Sequence, residues 1–133
     1  MNRRTERENL MKLVYEMHMN HDFSMLAYES FCEQYLEETP GPYFKTVLEI
    51  IIANRPFLDE AIERNSKNWK LNRMSAVDLS ILRIAAAESL YDSGVPEEVA
   101  INEAVELAKK YGTEKSPGFI NGLLGSLVRE HAE

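Results

Sequence analysis

The chain has 133 residues, 44% hydrophobic and 28% charged, a size and balance that suit one globular domain over residues 1–133. No apolar run approaches the ~20 residues a membrane helix needs, and the start, MNRRTERENL, lacks the apolar stretch of a secretory signal. A formal net charge of −7 argues against nucleic acid as a partner for the surface as a whole, and the single cysteine, Cys32, excludes an intrachain disulfide and fits a reducing cytoplasm.

The apolar spacing is helical nearly throughout. Over 3–20, Leu10, Leu13, Val14 and Met17 recur at steps of three and four and predict an amphipathic helix. A second is predicted over 24–38, with Ser24 as N-cap and Leu26, Phe31, Tyr35 and Leu36 as its apolar positions. TPGP at 39–42 breaks the chain. Helical spacing resumes from Tyr43 to about Asn65, but Pro56 removes a backbone donor and predicts a kink or break near Asn54.

SKNWKLNRMS then joins an N-terminal half, about 1–65, to a C-terminal half, about 66–133, and Trp69 is expected to pack between them. Residues 75–91 carry two apolar stripes, which predicts a central helix buried on two sides. DSGVP ends it. A helix over about 100–111, stopped by Gly112, is expected to have Asn102 as its own cap. The last helix begins at KSPGF, with Ser116 as N-cap and Pro117 in the first turn. No alternating run with hairpin turns is present. The expected fold is all-α, a single compact bundle of about seven helices in two packed halves.

Motifs of catalysis are missing: there is no G-x-G-x-x-G, no P-loop and no G-x-S-x-G, so no enzyme, metal or cofactor is expected. His18 and His21 have an H-x-x-H spacing but fall at a helix end, where exposed polar residues are usual. Met11, Met17, Met19 and Met25 are expected to fill the core. Gly118, Gly122 and Gly125 make a small face on the last helix, which serves either close helix packing or the close approach of a ligand backbone. Charge is unevenly spread. Residues 1–20 hold four bases against three acids, 64–73 hold Arg64, Lys67, Lys70 and Arg73 with no acid, and 109–115 hold Lys109, Lys110 and Lys115 against Glu114.

Two stretches carry a family likeness. WKLNRMSAVDLSILRIAAAE (69–88) resembles the central segment of the NusB family of bacterial transcription antitermination factors. VPEEVAINEAVELAKKYGTEKSPGFINGLL (95–124) resembles its C-terminal signature. The likeness is strong over 69–128 and weaker over 1–65, where Arg3, Arg4 and Arg7 and then Val14-Tyr15 match the family's Arg-rich first helix. Two departures stand out: Thr5, Glu6 and Glu8 interrupt a basic start that is often denser in the family, and Pro56 lies where relatives can carry an unbroken helix.

The resemblance implies a non-enzymatic, cytoplasmic RNA-binding protein. It would bind boxA-like single-stranded RNA together with the small-subunit ribosomal protein that doubles as NusE. The complex would join the RNA polymerase antitermination complex and suppress termination in ribosomal RNA operons. Arg3, Arg4, Arg7 and Lys115 would meet phosphates, Phe119 would stack on an unpaired base, and Asn121 would bond RNA or brace the loop. Tyr15 and Asp78 would face the protein partner; an internal pair of Asp78 with Arg73 or Arg83 is the alternative. Monomer and homodimer are both left open. The alternative functions are a helical module that binds only protein, or a free-standing relative of the RNA-binding domain of ribosomal RNA cytosine methyltransferases.

Overall fold

Three of the helices start where a side chain relieves one of the first backbone N–H groups. In the computed structural model, which describes residues 1–67 and 69–132, α1 spans Arg3–Asn20, α2 Met25–Tyr35, α3 Pro42–Arg64, α4 Ala76–Leu90, α5 Glu97–Tyr111 and α6 Ser116–Ala132. Asn68, in the linker, and Glu133 lie outside the described residues. Asn2 caps α1 by accepting from the Thr5 amide at 2.8 Å. Ser24 and Ser75 cap α2 and α4, accepting from Ala27 and Asp78. α3 opens with Pro42 at its first position, and the Glu6 carboxylate of α1 accepts from the Gly41 amide at 3.2 Å, placing negative charge at a helix N-terminus.

The break expected ahead of Pro56 is present. Asn54 leaves the helical region (φ −126°, ψ 17°), and its side-chain amide donates to the Ile50 carbonyl at 3.0 Å. Counted across that kink there are six α-helices, with a 3-10 turn at Leu71–Arg73 and no strand among the described residues. The expected figure of about seven differs because α3 continues as one element on both sides of Asn54.

α4 is the central helix. Every residue from Leu79 to Ser89 is buried, and α1, α3, α5 and α6 pack around it. Burial on all sides requires partners for its polar groups. Ser80 donates to the Ala76 carbonyl at 2.7 Å, Arg83 donates to both Asp59 oxygens at 2.8 and 2.9 Å, and Glu88 accepts from Arg7. One apolar core runs from Leu10 on α1 to Leu127 on α6.

Several expectations change. α2 ends at Tyr35 rather than 38, and Leu26 and Tyr35 point into solvent, because α2 buries only one narrow stripe, with Phe31 in the core and Tyr28 against Phe44 of α3. Met11 and Met17 are core, but Met19 is exposed. α5 begins at Glu97, so Asn102 lies inside it, exposed, and caps nothing. Ser116 does not cap α6 forward; its hydroxyl accepts backward from the Thr113 amide at 2.9 Å. Trp69 is not packed between halves: it is 53% exposed.

Candidate nucleic-acid interface

The turn between α5 and α6 is built tightly. A Cβ at Gly112 would lie 2.6 Å from the Ser116 Cβ and 2.8 Å from the Ala108 carbonyl oxygen, so only glycine fits. This turn delivers Lys115 to the surface and Phe119 to the first turns of α6. Phe119 is half-buried. Its ring meets the exposed Trp69 ring edge-to-face, with centroids 6.3 Å apart and planes at 64°.

Grooves lie on both sides of that aromatic pair. One, of about 390 Å³, is bounded by Arg73, Met74, Asp78 and Lys115 as well as the two rings. The other, of about 270 Å³, is bounded by Lys67, Gly118 and Gly122 with the same rings. A Cβ added at Gly118 or Gly122 would meet nothing within 4 Å. Of the two uses open to this small face, close helix packing is therefore not the one realised at Gly118 and Gly122. Among the described residues, Lys67, Lys70, Arg73 and Lys115 form no ion pair. Asn121 is exposed one turn into α6.

The three N-terminal arginines have different fates. Arg7 is buried, donating to Glu88 at 2.8 Å, and stands 3.7 Å from Glu103. Arg4 is exposed but donates to both oxygens of Glu103, at 3.1 and 2.8 Å, and that hydrogen-bonded guanidinium holds the Glu103 carboxyl below its usual range. Arg3 lies over the Tyr43 ring at 4.2 Å and is 3.8 Å from Glu6. Lys110 is drawn to Glu8 at 2.6 Å. Arg4 and Arg7 line a groove between α1 and α5, whereas Lys115 and Phe119 line the aromatic groove. The N-terminal arginines and the Lys115–Phe119 pair thus line different grooves, and Arg7 is withdrawn from solvent.

Tyr15 and Asp78 also separate. Tyr15 is 38% exposed, beside Lys12, Met19 and Tyr35 in a groove between α1 and α2. Asp78 sits on the wall of the aromatic groove, in the first turn of α4, with its Oδ1 buried and without a hydrogen-bond partner among the described residues. It does not pair with Arg83, which is taken by Asp59. His18 Nδ1 lies 3.0 Å from Arg83 Nη1, and burial followed by the Arg83 charge pushes its pKa down. His21 closes α1 in a left-handed conformation.

Reading the sequence missed Trp69 and Lys67 as surface groups of this site. A tryptophan beside a run of four bases without an acid was the available signal. Among the described residues no helix is long and apolar enough to cross a membrane.

Known proteins resemble this chain over nearly its whole length. The sequence model of the NusB family matches residues 4–129. The transcription antitermination protein NusB of Finegoldia magna is 45% identical over 130 residues, covering 97% of this chain and 95% of its own length. That of Alkaliphilus oremlandii is 44% identical over 131 residues, covering 98% and 95%. A solved structure of T. maritima NusB superimposes with a TM-score of 0.85 at 36% identity, over 100% of this chain and 94% of that one.

Proposed function

The chain belongs to the NusB family, and from that footing we propose that it is a transcription antitermination factor. It binds boxA-like single-stranded RNA together with the NusE-type small-subunit ribosomal protein, and within the RNA polymerase antitermination complex it suppresses termination in ribosomal RNA operons. It acts by binding, without catalysis of its own.

The observation that carries the reading is the aromatic groove. Single-stranded RNA is held by rings on which bases stack and by cations that follow the phosphates. Phe119 offers the ring, and Lys115 and Arg73 stand on the same groove, outnumbering its one acid, Asp78, and in no ion pair among the described residues. The acidic body disfavours RNA elsewhere. Arg3 and Arg4 serve as secondary phosphate contacts, with Arg4 exchanging Glu103 for a phosphate, and Asn121 extends the site along α6. Arg7 supports α1 from inside.

The protein partner is assigned to Tyr15 in the α1–α2 groove and to Asp78 at the edge of the aromatic groove. Asp78 would then lie where partner and RNA adjoin.

The experiment is titration of a boxA-like RNA with the purified chain, with and without the NusE-type ribosomal protein, at several salt concentrations. Specific binding that tightens with the partner is expected. Partner binding without any RNA binding, alone or in the complex, would replace this reading with the protein-only module.

A further inference from the structure

We propose that Trp69 is a second base-stacking residue, and that single-stranded RNA crosses the Trp69–Phe119 pair with its backbone running over the bare face of α6 at Gly118 and Gly122. The inference rests on the RNA-binding reading above and adds to it a residue and a path.

A tryptophan gains more than most side chains from burial, yet this one is 53% exposed. Its main chain is anchored, since the Ser66 hydroxyl donates to the Trp69 carbonyl. The ring is therefore held out from a fixed base. It also stands steeply inclined to Phe119, at 64°, so the two rings present separate faces, suited to two neighbouring bases rather than one.

The groove on the α6 side fits a sugar-phosphate backbone. It carries Lys67 and no carboxylate, whereas the opposite groove carries Asp78 beside Arg73 and Lys115. On the first side no carboxylate opposes a phosphate, whereas on the second Asp78 offsets part of the charge of Arg73 and Lys115. Gly118 and Gly122 leave open space there, each at a cost to the helix, and such bare backbone permits close approach. Lys67 itself takes φ 49°, a left-handed conformation uncommon for a residue with a side chain, of the kind that collects at ligand sites. Charge, open space and ring geometry agree on one occupant, a single-stranded polyanion with aromatic bases.

Trp69 is the chain's one tryptophan, so its emission reports this site alone. The test titrates the full chain with boxA-like RNA, following Trp69 emission and RNA anisotropy together, with Trp69→Phe as the optical blank. Quenching that saturates with RNA binding is expected. Trp69→Ala should weaken RNA about 5- to 150-fold, the range for one lost base–aromatic stack, with the salt slope and melting temperature nearly unchanged. Trp69→Phe should recover most of the affinity. Unquenched emission with tight RNA binding, or full affinity in Trp69→Ala, would overturn the proposal while leaving the RNA-binding reading intact. Quenching by the ribosomal protein but not by RNA would overturn it in favour of a protein contact. A lowered melting temperature with RNA and partner lost together would make Trp69 structural. No RNA binding by the unaltered chain, with or without the ribosomal protein, would end both readings.

Discussion

Arg7 on α1 and Glu88 on α4 meet at 2.8 Å with both side chains almost wholly withdrawn from water. The Tyr43 ring covers the same guanidinium at 5.1 Å. A buried ion pair adds little net stability over an apolar pair of the same shape, but removing one partner strands the other charge. Arg7→Met is therefore expected to cost about 3–5 kcal/mol, and Arg7→Met with Glu88→Leu to recover much of it. Urea unfolding of the two variants measures this. A loss under about 1 kcal/mol in the single variant would mean that the pair is hydrated in solution.

Arg3 and Arg4 are surface residues and test differently. Each phosphate contact on a single strand contributes about 0.7 to the slope of log affinity against log salt, so Arg3→Gln with Arg4→Gln should flatten it by up to roughly 1.4. Phe119→Ala should instead cost about 1–3 kcal/mol of RNA affinity with the slope intact. An unchanged slope in the folded double variant would exclude the N-terminus from the RNA site.

Asp78→Ala is expected to weaken the ribosomal-protein partner more than RNA. It breaks no pair with Arg83, which stays with Asp59, so the melting temperature should change little. Partner and RNA titrations on this variant, beside a thermal melt, decide the matter. A large drop in melting temperature with normal partner affinity would assign Asp78 to the start of α4 alone.

Stability should fall in mild acid through His18. Its folded pKa lies below the usual 6.5, because burial and the Arg83 charge oppose protonation. Between that lowered value and 6.5 the unfolded chain binds more protons than the folded one, so stability rises with pH across the window and is complete above it. Glu103 and Glu130, both held below the usual carboxyl range, lose their contribution only at lower pH, below about 4.5. Melting temperatures of the chain and of His18→Gln from about pH 5 to pH 7 should differ in slope, with the variant flatter. Parallel profiles would place the acid sensitivity elsewhere.

Two glycines should respond in opposite directions. Gly122→Ala places a methyl in open space on a helix and should stabilise by about 0.5–1 kcal/mol. Gly112→Ala forces the new carbon onto the Ser116 Cβ and the Ala108 carbonyl, and should destabilise by about 1–3 kcal/mol. Chemical denaturation of both variants reads the signs directly. RNA affinity lost in the more stable Gly122→Ala would show that α6 needs its bare face for binding.

The sequence by itself determined the helices, most of their ends and the burial of α4. Those depend on neighbours three or four residues away and on single capping or breaking residues such as Ser24, Ser75, Pro56 and Gly112. It also carried the family, because WKLNRMSAVDLSILRIAAAE and the stretch from Val95 to Leu124 are specific strings. Only the tertiary structure decided which cations and rings are free. Arg7, Arg4 and Lys110 find their acids 81, 99 and 102 residues away, and no local pattern announces such a pairing. Trp69 has the composition of a core residue, yet the neighbours around it leave its ring in water beside Phe119. Helical periodicity is a property of one segment, whereas charge neutralisation and exposure belong to surfaces assembled from several, so the aromatic groove became legible only when the linker, the start of α4 and α6 were brought together.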